Sequence, residues 1–301
     1  MKNSNYKFAV LTLIAAMLFS NGAIAQNDHR TAVTHKIEVK GASFSYRVFG
    51  KKGGVPIVFL QHFTGTMDNW DPALTNGFAK THEVILFDNR GIGSSTGETP
   101  KTIEGMADDA TAFINALGYK QVDLLGFSVG GFIAQEVAIG HPTLVRKLIL
   151  AGTGPRGGDI TDNQPVLENK EKLTPPQQLL QLFFDPTPTS QAKGNEFLKR
   201  ISERQVNRDA NTKVSSILAQ NDAINAFKAD RDATYKNLLK IHQPVLVVNG
   251  IHDRMVPASN SYVLVSHIKN AKLILYPDSG HGALFQYHDD FVKQANSFLN
   301  R

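Results

Sequence analysis

The sequence predicts an α/β fold, with a mostly parallel central sheet flanked by helices and an inserted helical cap. Three observations predict it. Short apolar runs alternate with helical patterns along the chain. Several of these runs are rich in Val, Ile and Leu without polar alternation, as strands covered on both faces require. The strand-like segments stop recurring between Thr153 and Lys240, and they return after Lys240.

Two early strands are predicted at Lys36–Val39 and Phe44–Val48, with Gly41 turning between them. Six buried strands follow: Val55–Leu60, Glu83–Phe87, Val122–Leu125, Lys147–Ala151, Pro244–Asn249 and Lys272–Tyr276. Helical periodicity predicts helices at Thr102–Leu117, Val129–Ile139 and Asp289–Leu299. The two strands after the interruption continue the same pattern. We therefore expect one core, residues 30–152 plus 241–301, and a cap, residues 153–240, rather than a separate trailing domain.

The predicted cap is polar and helical, and prolines mark the breaks between its segments. Thr174 caps one helix, whose first turn contains Pro175 and Pro176. Two more helices are predicted near Asn195–Gln205 and Val214–Phe227.

Composition excludes several classes of protein. The 301 residues are 42% hydrophobic and 20% charged, which is an ordinary globular balance. There is no cysteine, so disulfides, thiolate metal sites and a cysteine nucleophile are excluded. Basic residues are scattered and the net charge is only +5, which argues against nucleic acid as a partner. No metal or cofactor motif is found, so we expect no cofactor.

The amino terminus has the pattern of a secretory signal peptide. Lys2 and Lys7 precede an apolar run from Phe8 to Phe19, and small residues follow up to Ala25. The run has 12 residues, whereas a membrane-spanning helix needs about 20. We expect residues 1–25 to be removed and the mature protein to be secreted or periplasmic, without a membrane anchor.

The strongest chemical signal is the motif Gly126-Phe127-Ser128-Val129-Gly130. It follows an apolar strand and begins a helix, which is the context in which G-x-S-x-G holds a nucleophilic serine. The glycines at positions 126 and 130 allow the strand and helix to approach closely. The alternative is a purely structural turn.

A serine hydroxyl needs a base to accept its proton. The candidate base is His281, which follows the last predicted strand and has glycine on either side. His288 is predicted to lie on a helix surface, and His252 is adjacent to the candidate acid.

The candidate acid is Asp253, which follows the strand ending at Asn249. A carboxylate there can orient the imidazole and stabilise its charged form; the alternative is a helix cap. Asp123 lies within a strand and Asp278 is too near His281 along the chain. The order Ser128, Asp253, His281 is the one expected of a hydrolase with a nucleophile elbow.

Two backbone N–H groups are needed where negative charge develops on the substrate oxygen. Val129 offers one at the start of its helix, and the loop Gln61–Thr66 is expected to supply the other, from Phe63.

With these features the chain resembles the α/β-hydrolase superfamily, especially its cap-bearing serine esterases and cofactor-free haloperoxidase-like members. The resemblance rests on residues 61–66, 87–95, 126–130, 249–253 and 279–282. It implies Ser128 as nucleophile, Asp253 as acid and His281 as base. One departure is that Gln61-His62 replaces the usual His-Gly, so His62 is a candidate pocket residue. Asp88 and Arg90 are interpreted as structural.

We therefore expect an enzyme that cleaves a small ester or lactone through an acyl-enzyme intermediate. Cofactor-free haloperoxidase or perhydrolase activity and carbon–carbon bond hydrolysis are alternatives with the same residues, and a non-catalytic ligand-binding protein is an alternative of another class. Apolar cap residues are candidates for the substrate pocket or for the core of the cap itself: Leu180, Phe183, Phe184, Ile217 and Phe227. Oligomeric state does not follow from the sequence.

Overall fold

The computed structural model describes residues 28–161, 172–231 and 234–301, so the expected signal peptide lies outside the described residues. Eight strands form one sheet in the order β1-β2-β4-β3-β5-β6-β7-β8. Their bounds are β1 Thr34–Val39, β2 Ala42–Gly50, β3 Ile57–Leu60, β4 Glu83–Phe87, β5 Val122–Phe127, β6 Val145–Ala151, β7 Val245–Gly250 and β8 Ala271–Tyr276. Strands β1 and β2 are antiparallel to each other, β2 is antiparallel to β4, and all other pairs are parallel. The predicted fold class is confirmed.

Nine α-helices are found within the described residues: α1 Pro72–Ala79, α2 Ile103–Ala116, α3 Val129–Gly140, α4 Pro175–Phe183, α5 Pro188–Ile201, α6 Val214–Ala229, α7 Ala258–His267, α8 Ala283–Gln286 and α9 His288–Leu299. In this part of the chain, no helix is both long and apolar enough to span a bilayer.

The helices cover both faces of the sheet. Alternate residues of β3 show this: Val58 and Leu60 belong to the cluster that holds α2 and α3, whereas Ile57 and Phe59 belong to the cluster that holds α1 and α9. Because both faces are covered, apolar side chains occupy every position of β3, and every residue of β5 is buried, rather than every second one.

Three helices of the core were not predicted from the pattern, α1, α7 and the short α8. Helix α1 contains Asn76 and Gly77, which are poor helix formers. Its packing compensates, because a Cβ on Gly77 would lie 2.9 Å from Val292 of α9. Helix α5 also begins earlier than predicted, at Pro188 after the capping residue Thr187.

The chain between Ala151 and Val245, which we call the β6–β7 segment, contains α4, α5 and α6 in its described part. Buried ion pairs attach it to the sheet. Arg200 forms two hydrogen bonds, 2.8 and 2.7 Å, to the Asp71 carboxylate at the start of α1. Arg47 of β2, which is fully buried, pairs with both Asp68 and Asp209. That residues 153–240 act as a cap remains a prediction.

Candidate active site

Ser128 occupies the sharp turn between β5 and α3. Its backbone has φ 56° and ψ −121°, a left-handed conformation that is strained for a residue with a side chain. The glycines around it are required by close contacts: a Cβ at Gly126 would lie 2.4 Å from the Gly130 carbonyl oxygen, and a Cβ at Gly130 would lie 1.9 Å from the Leu60 carbonyl oxygen. The packing of α3 on β3 and β5 thus depends on the motif that predicted it.

Asp253 and His281 meet at the same edge of the sheet. They follow β7 and β8 respectively, and Nδ1 of His281 donates to Oδ2 of Asp253 at 2.8 Å. Both side chains are completely buried. The other carboxylate oxygen of Asp253 accepts from the backbone N–H groups of Met255 and Val256, each at 2.9 Å. These three bonds fix the carboxylate and leave Nε2 of His281 as the free nitrogen.

Backbone contacts hold the two loops together. The N–H of His252 donates to the Ser279 carbonyl at 3.0 Å, and a Cβ on Gly250 would lie 2.2 Å from the Gly280 carbonyl oxygen. The Asn249 side chain donates to the Val256 carbonyl and so closes the loop that carries the acid. The acid and the base, which are 28 positions apart in the chain, are therefore bridged by backbone contacts near both.

The base lies beside the strand ends that flank the serine. The ring of Phe127, the residue before Ser128, is 5.0 Å from the ring of His281. A Cβ on Gly152, just after β6, would lie 3.3 Å from Cε1 of His281. Nε2 of His281 is buried and has no hydrogen-bond partner among the described residues, so it is not bonded to Ser128. Catalytic hydrogen bonds of this kind are often loose without substrate.

The loop after β3 is held by side chains from two directions. Gln61 accepts from the His62 N–H and donates to the Thr66 carbonyl, which spans the loop from inside. From outside, Gln220 of α6 accepts from the Thr64 N–H at 2.7 Å. No acceptor is found within the described chain for the N–H of Phe63. The N–H of Val129, in the first turn of α3, likewise has no intrahelical acceptor.

His62 is buried in the same region. Its Nδ1 donates to the Phe63 carbonyl at 2.8 Å. Its ring is 5.6 Å from Phe127 and 5.3 Å from Phe183. Burial, opposed by the Phe63 hydrogen bond and reinforced by the neighbouring His281, lowers the pKa of His62 to about 4. At neutral pH the ring is therefore uncharged.

The three candidate phenylalanines have different surroundings. Phe183 packs against His281, with ring centres 5.6 Å apart, so it borders the site. Phe184 packs on Phe197 at 5.6 Å, and Phe227 stacks on Phe132 at 4.6 Å. The contacts of Phe184 and Phe227 are those of core residues, as the alternative interpretation expects.

Asp88 and Arg90 have structural surroundings. The Asp88 carboxylate accepts from the Met67 and Ser94 N–H groups, and Arg90 forms two hydrogen bonds with Asp109. Burial, with the nearby Asp209, raises the pKa of Asp88. The bond from Met67 to Asp88 joins the loops after β3 and β4, and the Arg90–Asp109 pair joins the second of these loops to α2.

Sequence reasoning missed two contributors to the site. Phe127 was considered only as part of a motif, yet its ring contacts both His62 and His281. Gln220 lies 156 residues from Thr64, so no local pattern could have identified their contact.

A profile of the family described as alpha/beta hydrolase fold matches residues 55–286. The chain belongs to this family. The alpha/beta hydrolase fold protein from Chitinophaga pinensis is 40% identical, with a TM-score of 0.86, over 91% of this chain and 99% of that one. This result confirms the resemblance drawn from the motifs.

Two curated relatives are hydrolases by name. A proline iminopeptidase of Pestalotiopsis fici is 29% identical over 88% of this chain and 99% of its own length. A human serine hydrolase is 27% identical over 89% of this chain and 87% of its own length. The relatives support a hydrolase of the alpha/beta fold, and their differing names do not define one substrate.

Proposed function

We propose that this alpha/beta hydrolase cleaves small esters or lactones through an acyl-enzyme intermediate on Ser128. The observation that carries the proposal is the Asp253–His281 hydrogen bond, because it leaves His281 Nε2 unpartnered beside the strained Ser128 turn. An imidazole whose Nδ1 is held in this way presents Nε2 as the nitrogen that can accept the serine proton.

In the first step, Ser128 Oγ attacks the substrate carbonyl while His281 Nε2 accepts its proton. The N–H groups of Phe63 and Val129 stabilise the oxyanion, helped by the N-terminal end of α3. His281 then gives the proton to the leaving alcohol, and the acyl-enzyme remains. Water, deprotonated by His281, attacks the acyl carbonyl, and His281 then returns that proton to Ser128 Oγ as the bond between the acyl group and Ser128 breaks and the acid leaves. Asp253 stays ionised and stabilises the imidazolium.

The surroundings support a small acyl group. Ser128 is only 7% exposed and His281 only 1%. The rings of Phe127 and Phe183 pack against the base and leave apolar surface around it. Such an enclosed environment strengthens the electrostatic interactions of the oxyanion.

Turnover of p-nitrophenyl acetate and butyrate, a small lactone and prolyl p-nitroanilide by purified protein tests the proposal. The anilide represents the substrate type suggested by the Pestalotiopsis relative's name. We expect ester or lactone turnover that Ser128→Ala abolishes while circular dichroism stays unchanged. Equal turnover by wild type and Ser128→Ala would refute the proposed function.

We also propose that residues 1–25 are removed on export. Mass spectrometry of protein expressed in a secreting host would then find a mature chain beginning at Gln26. An intact Met1 terminus on protein recovered from the cytoplasm would refute this proposal.

A further inference from the structure

The exchange of the usual His-Gly for Gln61-His62 has a physical consequence. The Gln61 side chain connects the two ends of the loop after β3, with bonds to the His62 N–H and the Thr66 carbonyl. The ring of His62 is therefore not needed to close the loop. It lies against Phe127 and Phe183, and the ring of His281 contacts the same two phenylalanines.

Hydrogen bonding determines which nitrogen of His62 is available. Because the Phe63 carbonyl can only accept, Nδ1 of His62 carries the proton in their 2.8 Å bond. Nε2 of the neutral ring is then a hydrogen-bond acceptor. The depressed pKa of about 4 keeps it neutral at physiological pH.

Nε2 of His62 is buried and lacks a hydrogen-bond partner among the described residues. A buried acceptor without a donor costs free energy, so such a group calls for an explanation. The backbone of Gly65 approaches this nitrogen closely, since a Cβ on Gly65 would lie 2.8 Å from Nε2.

The position of His62 indicates which part of a substrate it could meet. The peptide N–H that follows it, that of Phe63, is the proposed oxyanion donor. A group attached next to the scissile carbonyl would therefore lie near the His62 ring when the carbonyl oxygen occupies the oxyanion site.

We propose that His62 accepts a hydrogen bond from the substrate, so that the preferred esters and lactones carry a hydroxyl on the carbon next to the scissile carbonyl. This inference rests on the proposed function, because it assumes that Ser128 attacks that carbonyl. His62 acts here as a specificity-determining residue, and the chemistry remains with Ser128 and His281.

Ethyl 2-hydroxybutanoate and ethyl butanoate form the matched substrate pair, followed by pH-stat. We expect kcat/KM of wild type to be about tenfold higher for the hydroxy ester, the value of one buried hydrogen bond. His62→Phe retains an aromatic ring and removes the acceptor. It should bring the ratio of the two kcat/KM values to about one, mainly by lowering the value for the hydroxy ester. His242→Phe, on an exposed histidine, should retain the wild-type ratio.

Three results would overturn the inference: no preference in wild type, an unchanged ratio in His62→Phe, or an equal loss for both esters, as a purely structural role would give. His62→Leu provides the same comparison if His62→Phe does not fold. Ethyl butanoate separates the two proposals. Turnover of it that depends on Ser128, with no hydroxyl preference, refutes only the role of His62, whereas turnover independent of Ser128 refutes the proposed function.

Discussion

Asp253 and His281 are joined by a 2.8 Å hydrogen bond between two side chains that are both inaccessible to solvent. A carboxylate oxygen only accepts, so the bond keeps the proton on Nδ1 and the lone pair on Nε2. The bond thus determines which nitrogen of His281 can act as the base.

Asp253→Asn should lower kcat about 10⁴-fold, because an amide can hold the imidazole in the wrong tautomer and does not stabilise its charged form. Ester turnover measures this effect. Asp289→Asn, on a side chain 98% exposed, is the control and should retain wild-type kcat. A tenfold loss or less in Asp253→Asn would contradict the assigned role.

Gly130→Ala should destabilise the protein by about 3 kcal/mol, because its Cβ would lie 1.9 Å from the Leu60 carbonyl oxygen and α3 would have to shift. Gly140, in the same helix, has no atom within 4 Å of its would-be Cβ. Gly140→Ala should therefore be neutral or slightly stabilising. Denaturant unfolding compares the two variants, and equal stabilities would show that the contact is not rigid.

Gln220→Leu should lower kcat about tenfold with little change in KM. It removes the acceptor of the Thr64 N–H and loosens the loop that holds the proposed oxyanion donor. Ser215→Ala, on the exposed side of the same helix, is the matched control. An unaltered kcat in Gln220→Leu would mean that the loop keeps its position without this bond.

The stability of the protein should fall on acidification below pH 6.5, partly through His29. Burial, reinforced by the charge of Arg47, lowers the pKa of His29 to about 3. The unfolded chain, with a histidine pKa of about 6.5, binds the proton first, so the free energy of unfolding decreases as the pH falls from 6.5 towards 3. At pH 4 the contribution of this group is a loss of about 3 kcal/mol.

Denaturant unfolding of His29→Phe at pH 7 and pH 4 tests this coupling. The variant should lose about 3 kcal/mol less than wild type between the two values. His141→Phe, on an exposed residue, is the control. Identical losses in His29→Phe and wild type would contradict the assigned effect of burial.

All eight strands were predictable: β1 and β2 flank the turn at Gly41, and the other six are mainly apolar runs bounded by turn-forming residues. The predicted β3 began two residues too early, at Val55, whereas the observed strand begins at Ile57. Pro56 precedes the observed strand, and a proline has no backbone N–H to donate to a neighbouring strand in the middle of a sheet. The missed helices had weaker local signals. Helix α1 depends on the fit of Gly77 against Val292, a tertiary contact that periodicity does not record.

Strand ends and short motifs mark each member of the candidate triad in the sequence. The surrounding hydrogen bonds were not predictable, since they join segments far apart in the chain. Gln220 reaches Thr64 from α6, and the Phe183 carbonyl accepts from the N–H of Gly282 next to the base. Such contacts follow from how the β6–β7 segment packs on the sheet.

The central claim is that Ser128 is a nucleophile activated by His281, and covalent labelling with a fluorophosphonate measures it most directly. Intact-mass analysis of wild type should find a single adduct, and peptide mapping should assign it to Ser128. Ser128→Ala should remain unlabelled, and His281→Ala should react orders of magnitude more slowly. Folded wild-type protein that stays unmodified, or carries the adduct on another serine, would contradict the claim.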